Sequence, residues 1–169
     1  MGRPLRLAAL LYAVAAGAYA LDRATKLWAE HALAGRPPLR LIPGVLHLTY
    51  TTNSGGAFGI GRSAPWLFAG ATVVVVGIIV AISTRLPRTI VAVALGLVLG
   101  GALGNLTDRA LGGPGLGGRV TDFIDLRVWP VFNLADSAIV IGAILLAASS
   151  LRPERAQRSG AAGPRVPGG

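Results

Sequence analysis

Ionisable and amide side chains are rare in this chain, and most of them lie beside long apolar segments. Only seven of its 169 residues are acidic. Charged groups near lipid are costly, so they are usually paired or used in a reaction. The side chains that could do chemistry are Asp22, Lys26, Asn53, Asn105, Asp108, Arg109, Asp122, Asp125, Asn133 and Asp136. They are the first candidates for a functional site.

Asp122 and Asp136 are the pair whose types and positions best fit a reaction. One precedes the last apolar segment and the other begins it, so both should lie at the same depth. Two carboxyls held within a few ångströms do not both ionise easily, so one keeps its proton. The ionised group can then take a proton from water while the protonated group donates to a carbonyl oxygen. The pair therefore predicts hydrolysis by acid–base catalysis.

Other kinds of hydrolytic site are missing from the sequence. The absence of cysteine excludes a cysteine nucleophile, thiolate metal sites and disulfides. Ser137 has no suitable histidine partner, and the zinc-peptidase pattern H-E-x-x-H does not occur. No other metal-binding spacing is present, so we expect no metal.

Several of the polar residues also have purely structural interpretations, which stay open at this point. Asn133 and Asp136 have the spacing of a helix N-cap and the third residue after it, where acids are favoured. Ion pairing along one helix face or between neighbours could explain two further pairs. These are Asp22 with Lys26, four residues on, and Asp108 with Arg109.

Four apolar segments must position these side chains. Residues 5–21, 64–83, 89–106 and 134–151 each approach the ~20 residues that cross a bilayer as a helix. Hydrophobic residues make up 53% of the chain and charged residues 14%, well below the roughly 25% of soluble domains. The sequence therefore predicts an all-α membrane protein with four transmembrane helices.

Four spans put both termini on one side of the membrane and the candidate residues on the other. Basic residues favour the cytoplasmic side, but the 16 in this chain divide equally, eight to each side. The segments on the side of the termini are shorter, so their basic residues are denser, which predicts cytoplasmic termini. Anchoring at a membrane surface then explains the net charge of +9, and we expect no nucleic acid partner.

The segments outside the spans predict a small outer β element and a tail. Apolar residues alternate on both sides of Pro43-Gly44, which predicts a β-hairpin within an outer element at about residues 39–62. Residues 112–118 are rich in glycine and form either a mobile loop or a plain connector. Residues 152–169 predict a disordered, basic cytoplasmic tail. Residues 1–151 would form a single membrane-embedded catalytic domain.

Five motifs occur in order along the chain: D-R-A-T-K from Asp22, N-S-G-G-A-F from Asn53, G-G-A-L-G-N-L-T-D-R from Gly100, V-T-D-F-I-D from Val120, and F-N-L-A-D-S-A from Phe132. Together they resemble the lipoprotein signal peptidases, also called signal peptidase II. The resemblance covers roughly residues 5–151. Arg23 and Gly56 depart from the usual pattern, in which Gln and Ala are common.

The resemblance implies an aspartyl endopeptidase of the bacterial cytoplasmic (inner) membrane, with its site at the outer face. Such enzymes cleave prolipoproteins that carry a diacylglyceryl group, immediately before the lipidated cysteine. Asp122 and Asp136 would be the catalytic pair, and no metal or organic cofactor is implied. Asn53, Asn105, Arg109 and Asn133 would bind substrate, and Asp22, Lys26 and Asp108 would support the geometry of the site. Inhibition by the cyclic peptide globomycin is also implied, and we expect a monomer among membrane lipids.

Three other functions can be weighed against this interpretation. A small transporter or channel would need charged groups spread through the depth of the membrane, whereas the candidates gather at one face. A non-catalytic membrane scaffold would explain the glycine stripe Gly96, Gly100 and Gly104, but not the two aspartates. An unrelated intramembrane aspartyl protease would place its acids deeper within the spans.

Overall fold

The computed structural model describes residues 2–54 and 65–151, which form four α-helices and a three-stranded sheet. This confirms a mostly helical chain with a small β element. The helices are α1 (Arg3–Leu33), α2 (Pro65–Ile82), α3 (Thr89–Leu111) and α4 (Leu134–Ser150), and the strands are β1 (Leu39–Ile42), β2 (Leu46–Asn53) and β3 (Val120–Asp125).

Helix α3 lies between α1 and α4, and glycines at both contacts let these helices approach it closely. A Cβ atom on Gly100 would lie 2.5 Å from the carbonyl oxygen of Ala15 in α1. On the side facing α4, a Cβ atom on Gly142 would lie 2.6 Å from the carbonyl oxygen of Ala94. Such contacts between small residues are how helices pack where no water drives their association. The glycine stripe therefore serves helix packing.

Successive contacts show the directions of the helices. Leu11 of α1 meets Gly96 of α3, and Asp22, further along α1, meets Gly104. Helices α1 and α3 are therefore parallel. The contacts of Gly101 with Ala135, and of Ala94 with Gly142, make α4 antiparallel to α3. The carboxyl-terminal ends of α1 and α3 thus meet the amino-terminal end of α4.

Apolar side chains form the core between the helices and also cover the outer surface of the helices. The core contains Leu7, Leu11, Ile79, Leu95 and Leu99. The outward faces of α2 and α4 remain apolar, with Val73, Val74, Ile78, Val140, Ile141 and Ile144 among the exposed side chains. Among the described residues, α1 and α3 are long and apolar enough to cross a membrane by themselves, while α2 and α4 are apolar but shorter.

Two helices extend beyond the predicted segments. Helix α1 continues past residue 21 to Leu33, and α3 continues past residue 106 to Leu111. The extensions carry charged residues, which the apolar pattern does not include, and four of them, Asp22, Lys26, Asp108 and Arg109, are buried in the fold. Burial and pairing let the helices continue beyond their apolar segments.

The sheet has the strand order β1-β2-β3, with both pairs antiparallel. The predicted hairpin is present, and Gly44 at its turn has φ +76°, which a residue without a side chain adopts freely. Residues 120–125, for which the sequence predicted no helix or strand, form β3 beside β2. Phe123 of β3 is buried and meets the ring of Trp28 edge to face, with ring centroids 6.4 Å apart. The remainder of the predicted outer element, residues 55–62, and the predicted tail, residues 152–169, lie outside the described residues.

The glycine-rich segment at residues 112–118 folds back against the end of α3. The backbone N–H of Gly118 donates to the carbonyl oxygen of Arg109 at 3.0 Å. A Cβ atom on Gly118 would come within 2.5 Å of that same oxygen, so the close approach requires glycine. These contacts lead the chain directly from α3 into β3.

Candidate active site

Two elements bring the predicted carboxyl pair into one cavity. Asp122 lies on β3, and Asp136 lies in the first turn of α4. Both line a cavity of about 320 Å³. Asn53, Asn105 and Arg109, three of the predicted substrate-binding residues, line the same cavity.

Asn133 contacts both carboxyl groups, that of Asp122 through its side chain and that of Asp136 through its backbone N–H. Its Nδ2 donates to Oδ1 of Asp122 at 2.6 Å, and its Oδ1 accepts from the backbone N–H of Asp136 at 2.9 Å. The backbone N–H of Asn133 donates in return to Oδ2 of Asp136 at 3.3 Å, which completes a capping box. The structural interpretation of Asn133 as an N-cap is therefore confirmed, and the cap itself joins the two aspartates.

Asn133 is fully buried, with 0% of its surface exposed. Its amide nitrogen also lies 3.2 Å from the carbonyl oxygen of Thr121 and 3.3 Å from Oδ1 of Asn105. All of the polar atoms of this amide therefore contact the protein.

Asn105 forms a second link, between Asp136 and a buried cation. Its Nδ2 donates to Oδ1 of Asp136 at 2.8 Å, and its Oδ1 accepts from Nζ of Lys26 at 2.8 Å. Lys26 is only 2% exposed. A buried ammonium needs anionic or carbonyl partners on several sides, which fixes its position.

Lys26 belongs to a compact ion cluster formed by α1 and α3. Its Nζ lies 2.9 Å from Oδ2 of Asp22 and 2.8 Å from Oδ2 of Asp108, so the predicted pair of Asp22 with Lys26 is confirmed. Asp108 is more than a simple partner for its neighbour Arg109, because it pairs with Arg23 and Lys26. The reason is that α1 and α3 are parallel, which brings the cations of α1 onto Asp108.

Asp22 and Asp108 also hold the elements that carry the carboxyl pair. Oδ1 of Asp22 accepts from the backbone N–H of Ala135 at 2.9 Å, at the start of α4. Oδ2 of Asp108 accepts from the backbone N–H of Thr121 at 3.2 Å, immediately before Asp122. One ion cluster thus anchors both β3 and the amino-terminal end of α4.

Burial changes the acidity of Asp122. Its side chain is almost completely buried, and burial together with the nearby charge of Asp136 raises the pKa of Asp122 to about 7. Hydrogen bonds from Asn133 and Asn53 and the charge of Lys26 act in the opposite direction. Near neutral pH this carboxyl can therefore hold or release a proton.

Arg109 brings a positive charge to the cavity. It is 6% exposed and lies within electrostatic range of Asp122, Asp108 and Asp136. Its position on α3, one turn after Asn105, confirms that the two residues share a helix face that points to the cavity.

The apolar wall of the cavity was not identified from the sequence. Phe68 and Thr72 of α2 form one side, and Ile139 and Val140 of α4 form another. The segment between β3 and α4 adds Trp129, Pro130, Val131 and Phe132. Apolar residues in a membrane helix give no signal that separates a cavity wall from a lipid-facing surface. The strand itself had a signal in the β-forming residues of V-T-D-F-I-D.

Metal ligands are not grouped in the described part of the chain: no three His, Cys, Asp or Glu side chains come together there as a metal site requires. That the protein uses no metal or organic cofactor stays a prediction.

The comparisons with known proteins agree with one another. A family model described as signal peptidase II matches residues 14–152. The lipoprotein signal peptidase of Streptomyces coelicolor is 42% identical over 151 residues, which cover 89% of this chain and 74% of the relative. That of Moorella thermoacetica is 44% identical over 136 residues, covering 79% of this chain and 87% of the relative. A solved bacterial membrane enzyme superposes with a TM-score of 0.74 at 30% identity, covering 83% of this chain and 87% of its own.

Proposed function

We propose that this chain, which belongs to the signal peptidase II family and removes signal peptides from prolipoproteins, works as an aspartic endopeptidase with Asp122 and Asp136 as its catalytic pair. The observation that carries the proposal is that buried Asn133 donates to both carboxyl groups, to Asp122 from its side chain and to Asp136 from its backbone N–H. Carboxyls held in this way can divide one proton between them, as acid–base hydrolysis of a peptide bond requires.

The chemistry follows from the two carboxyls acting together on one water molecule. The ionised carboxyl takes a proton from water as the oxygen attacks the scissile carbonyl carbon. The protonated carboxyl donates to the carbonyl oxygen, which relieves the negative charge that develops there. Proton transfer to the leaving amine then completes the cleavage and restores the pair.

The shape of the cavity supports a lipid-bearing substrate. Its apolar wall between α2 and α4 is continuous with side chains such as Val140 that are exposed on the outside of the helices. We propose that the diacylglyceryl-modified cysteine enters along this wall, with cleavage immediately before the cysteine. The polar end of the cavity, with Asn53 and Arg109, would then hold the extended peptide, since an amide both donates and accepts.

The roles of two predicted substrate-binding residues are better described as alignment of the catalytic pair. The polar atoms of Asn133 contact the protein, and Asn105 already bonds to Lys26 and Asp136. We propose that these amides hold the carboxyls, and that Asp22, Lys26 and Asp108 support them through the ion cluster.

The protein is a membrane protein by its family and its solved structural relatives. We further propose that all four helices cross the bacterial cytoplasmic membrane, with both termini inside and the cavity at the outer face. A monomer and inhibition by globomycin-type cyclic peptides belong to the same proposal. The transporter and scaffold alternatives are not favoured, because the relatives carry the name of a peptidase.

The proposal predicts that Asp122→Asn and Asp136→Asn each abolish cleavage of a purified diacylglyceryl-modified prolipoprotein. An amide cannot take up or release the shared proton, and loss of a general acid or base costs about 10²–10⁴-fold in rate. The measurement is release of the signal peptide by purified variants in detergent micelles.

Asp125→Asn is the matched control for this experiment. Asp125 lies on the same strand as Asp122, but it pairs with Arg127 at 3.2 Å outside the cavity. This variant should cleave at nearly the wild-type rate. Full activity in either Asp122→Asn or Asp136→Asn would remove that residue from the mechanism.

A further inference from the structure

The two catalytic carboxyls have different surroundings. The cause can be traced to two groups that donate hydrogen bonds but cannot accept them. An ammonium group and a backbone N–H have no acceptor atom. Each of them therefore fixes the direction of any amide side chain that it contacts. Two such donors, Nζ of Lys26 and the backbone N–H of Asp136, contact the amides of Asn105 and Asn133.

The orientation of Asn105 follows from Lys26. Nζ of Lys26 donates to the oxygen of the Asn105 amide, so the nitrogen of that amide must face the opposite side. On that side it donates to Oδ1 of Asp136 at 2.8 Å. The other carboxyl oxygen of Asp136 accepts from the backbone N–H of Asn133. Both oxygens of Asp136 therefore face N–H donors, which favour the ionised form.

The orientation of Asn133 follows in the same way. Its oxygen accepts from the backbone N–H of Asp136, so its nitrogen must face Asp122 and the oxygen of Asn105. The nitrogen of Asn133 then faces the oxygen of Asn105, so the orientations of the two amides are compatible. A reversal of either amide would bring donor against donor at Lys26 or at the backbone of Asp136.

Helix position and burial add to the asymmetry. Asp136 occupies the first turn of α4, where the positive end of the helix dipole favours an anion. Asp122 lies on a strand without such a dipole and is 3% exposed, whereas Asp136 is only partly buried. Burial favours the neutral form of a carboxyl.

We propose that Lys26, acting through the amide of Asn105, and the cap residue Asn133 together make Asp136 the ionised base that activates water and leave the shared proton on Asp122. Lys26 and the two asparagines are then positioning residues, since they act through the aspartates. The inference rests on the proposed aspartyl mechanism and assigns a role to each carboxyl within it.

The direct test is infrared difference spectroscopy of the C=O stretch of protonated carboxyls, recorded on the full-length protein as the pH is raised. The chain has only five Asp and two Glu residues, so few bands compete. In the wild type, one band should disappear as the pH passes about 7, the pKa of Asp122. The groups that face Asp122 are Asp136, Lys26, Arg109 and the hydrogen-bonding amides of Asn133 and Asn53.

The two aspartate variants assign the band. Asp122→Asn should lack it, and Asp136→Asn should keep it with a lower midpoint, because the repulsion from Asp136 is removed. The opposite pattern would overturn the inference while leaving the aspartyl mechanism intact, since both variants would still be inactive. Cleavage activity in one of them would instead contradict the mechanism itself.

Kinetic variants test the role of Lys26. Lys26→Met should lower kcat about 10²-fold while KM stays near its wild-type value, because the base is misaligned but the substrate-binding wall is unchanged. In Lys26→Met, the C=O band of protonated Asp122 should disappear at a higher pH than in the wild type, since the charge of Lys26 normally lowers the pKa of Asp122. If loss of Lys26 prevents folding, Asn105→Ala tests the same link with the ion cluster intact and should show the same loss in kcat.

Arg23→Gln is the matched control. It removes a cation from the same cluster, the partner of Asp108, but it leaves the bond from Lys26 to Asn105 in place. Its kcat and the midpoint of the Asp122 band should stay near the wild-type values. An equal loss of kcat in Arg23→Gln and Lys26→Met would show that the charge of the cluster matters and not the contact with Asn105, and would overturn the inference.

Discussion

At the scale of single residues, one side chain can satisfy two interpretations that looked like alternatives. Asn133 caps α4 through its oxygen and holds Asp122 through its nitrogen. Asp136 likewise accepts the reciprocal bond of a capping box and lines the cavity. A helix N-terminus supplies both a rigid position and donors for an anion. Building the site on a cap thus helps to fix the position of the Asp136 carboxyl, to which Asn105 also donates.

The raised pKa of Asp122 predicts how activity depends on pH. Below about pH 7 Asp122 holds a proton, and above it both carboxyls are ionised and none can donate to the scissile carbonyl. The value of kcat/KM for prolipoprotein cleavage should therefore fall about tenfold per pH unit above that point. A kcat/KM that stays level well above pH 7 would contradict this assignment.

Thermal unfolding gives an independent check of the same ionisation. A carboxyl whose pKa is raised in the folded state contributes stability below its unfolded pKa, near 4, and loses that contribution as the pH rises through about 7. Asp122→Asn has no such loss. Its Tm relative to the wild type should therefore increase between mildly acidic and mildly alkaline buffer, and a constant difference would argue against a raised pKa.

At the scale of elements, the site depends on how closely α1 approaches α3. Gly104 faces the carboxylate of Asp22, and a Cβ atom at this position would overlap it. Asp22 in turn holds both Lys26 and the backbone of Ala135. The spacing of two helices thus sets the position of the ion cluster, and the cluster sets the position of α4.

Gly104→Ala tests this dependence. The added methyl group should displace Asp22, lower the free energy of unfolding by about 1–3 kcal/mol, and reduce prolipoprotein cleavage as well. Gly77→Ala in α2 is the matched control, because nothing lies within 4 Å of a Cβ atom there. Alanine in that helix should be neutral or stabilising by up to about 1 kcal/mol. Equal Tm values for the two variants would show that the close approach is not needed.

At the scale of the whole molecule, the two ends of the helical layer differ in chemistry. The carboxylates, amides and Lys26 lie at one end, where α1 and α3 finish and α4 begins. At the other end, Arg3 bonds to the carbonyl oxygen of Pro87, and Arg88 to that of Ser149. Basic residues on the side of the termini favour a cytoplasmic location for that end.

Cysteine labelling tests this orientation without background, because the chain contains no cysteine. Val45→Cys places a thiol in the exposed turn of the hairpin, and Thr84→Cys places one in the exposed turn between α2 and α3. A membrane-impermeant maleimide should label the first in intact spheroplasts and the second only after permeabilisation. The reverse pattern would place the cavity on the cytoplasmic side.

The sequence by itself determined which side chains would be unfavourable near lipid and where the apolar segments lay, because both follow from residue type and order along the chain. Asp122 and Asp136 could be selected, and the helices, the hairpin and the cap could be predicted, from local patterns. Only the tertiary structure decided which partner each charge takes. Asp108 pairs with Arg23 and Lys26 of another helix, 85 positions away in the case of Arg23, and no local spacing encodes that contact. The pairing of β3 with β2 also joins segments that are far apart in sequence. The orientation of the Asn105 amide likewise depends on Lys26, a donor on another helix, and such contacts exist only once the chain has folded.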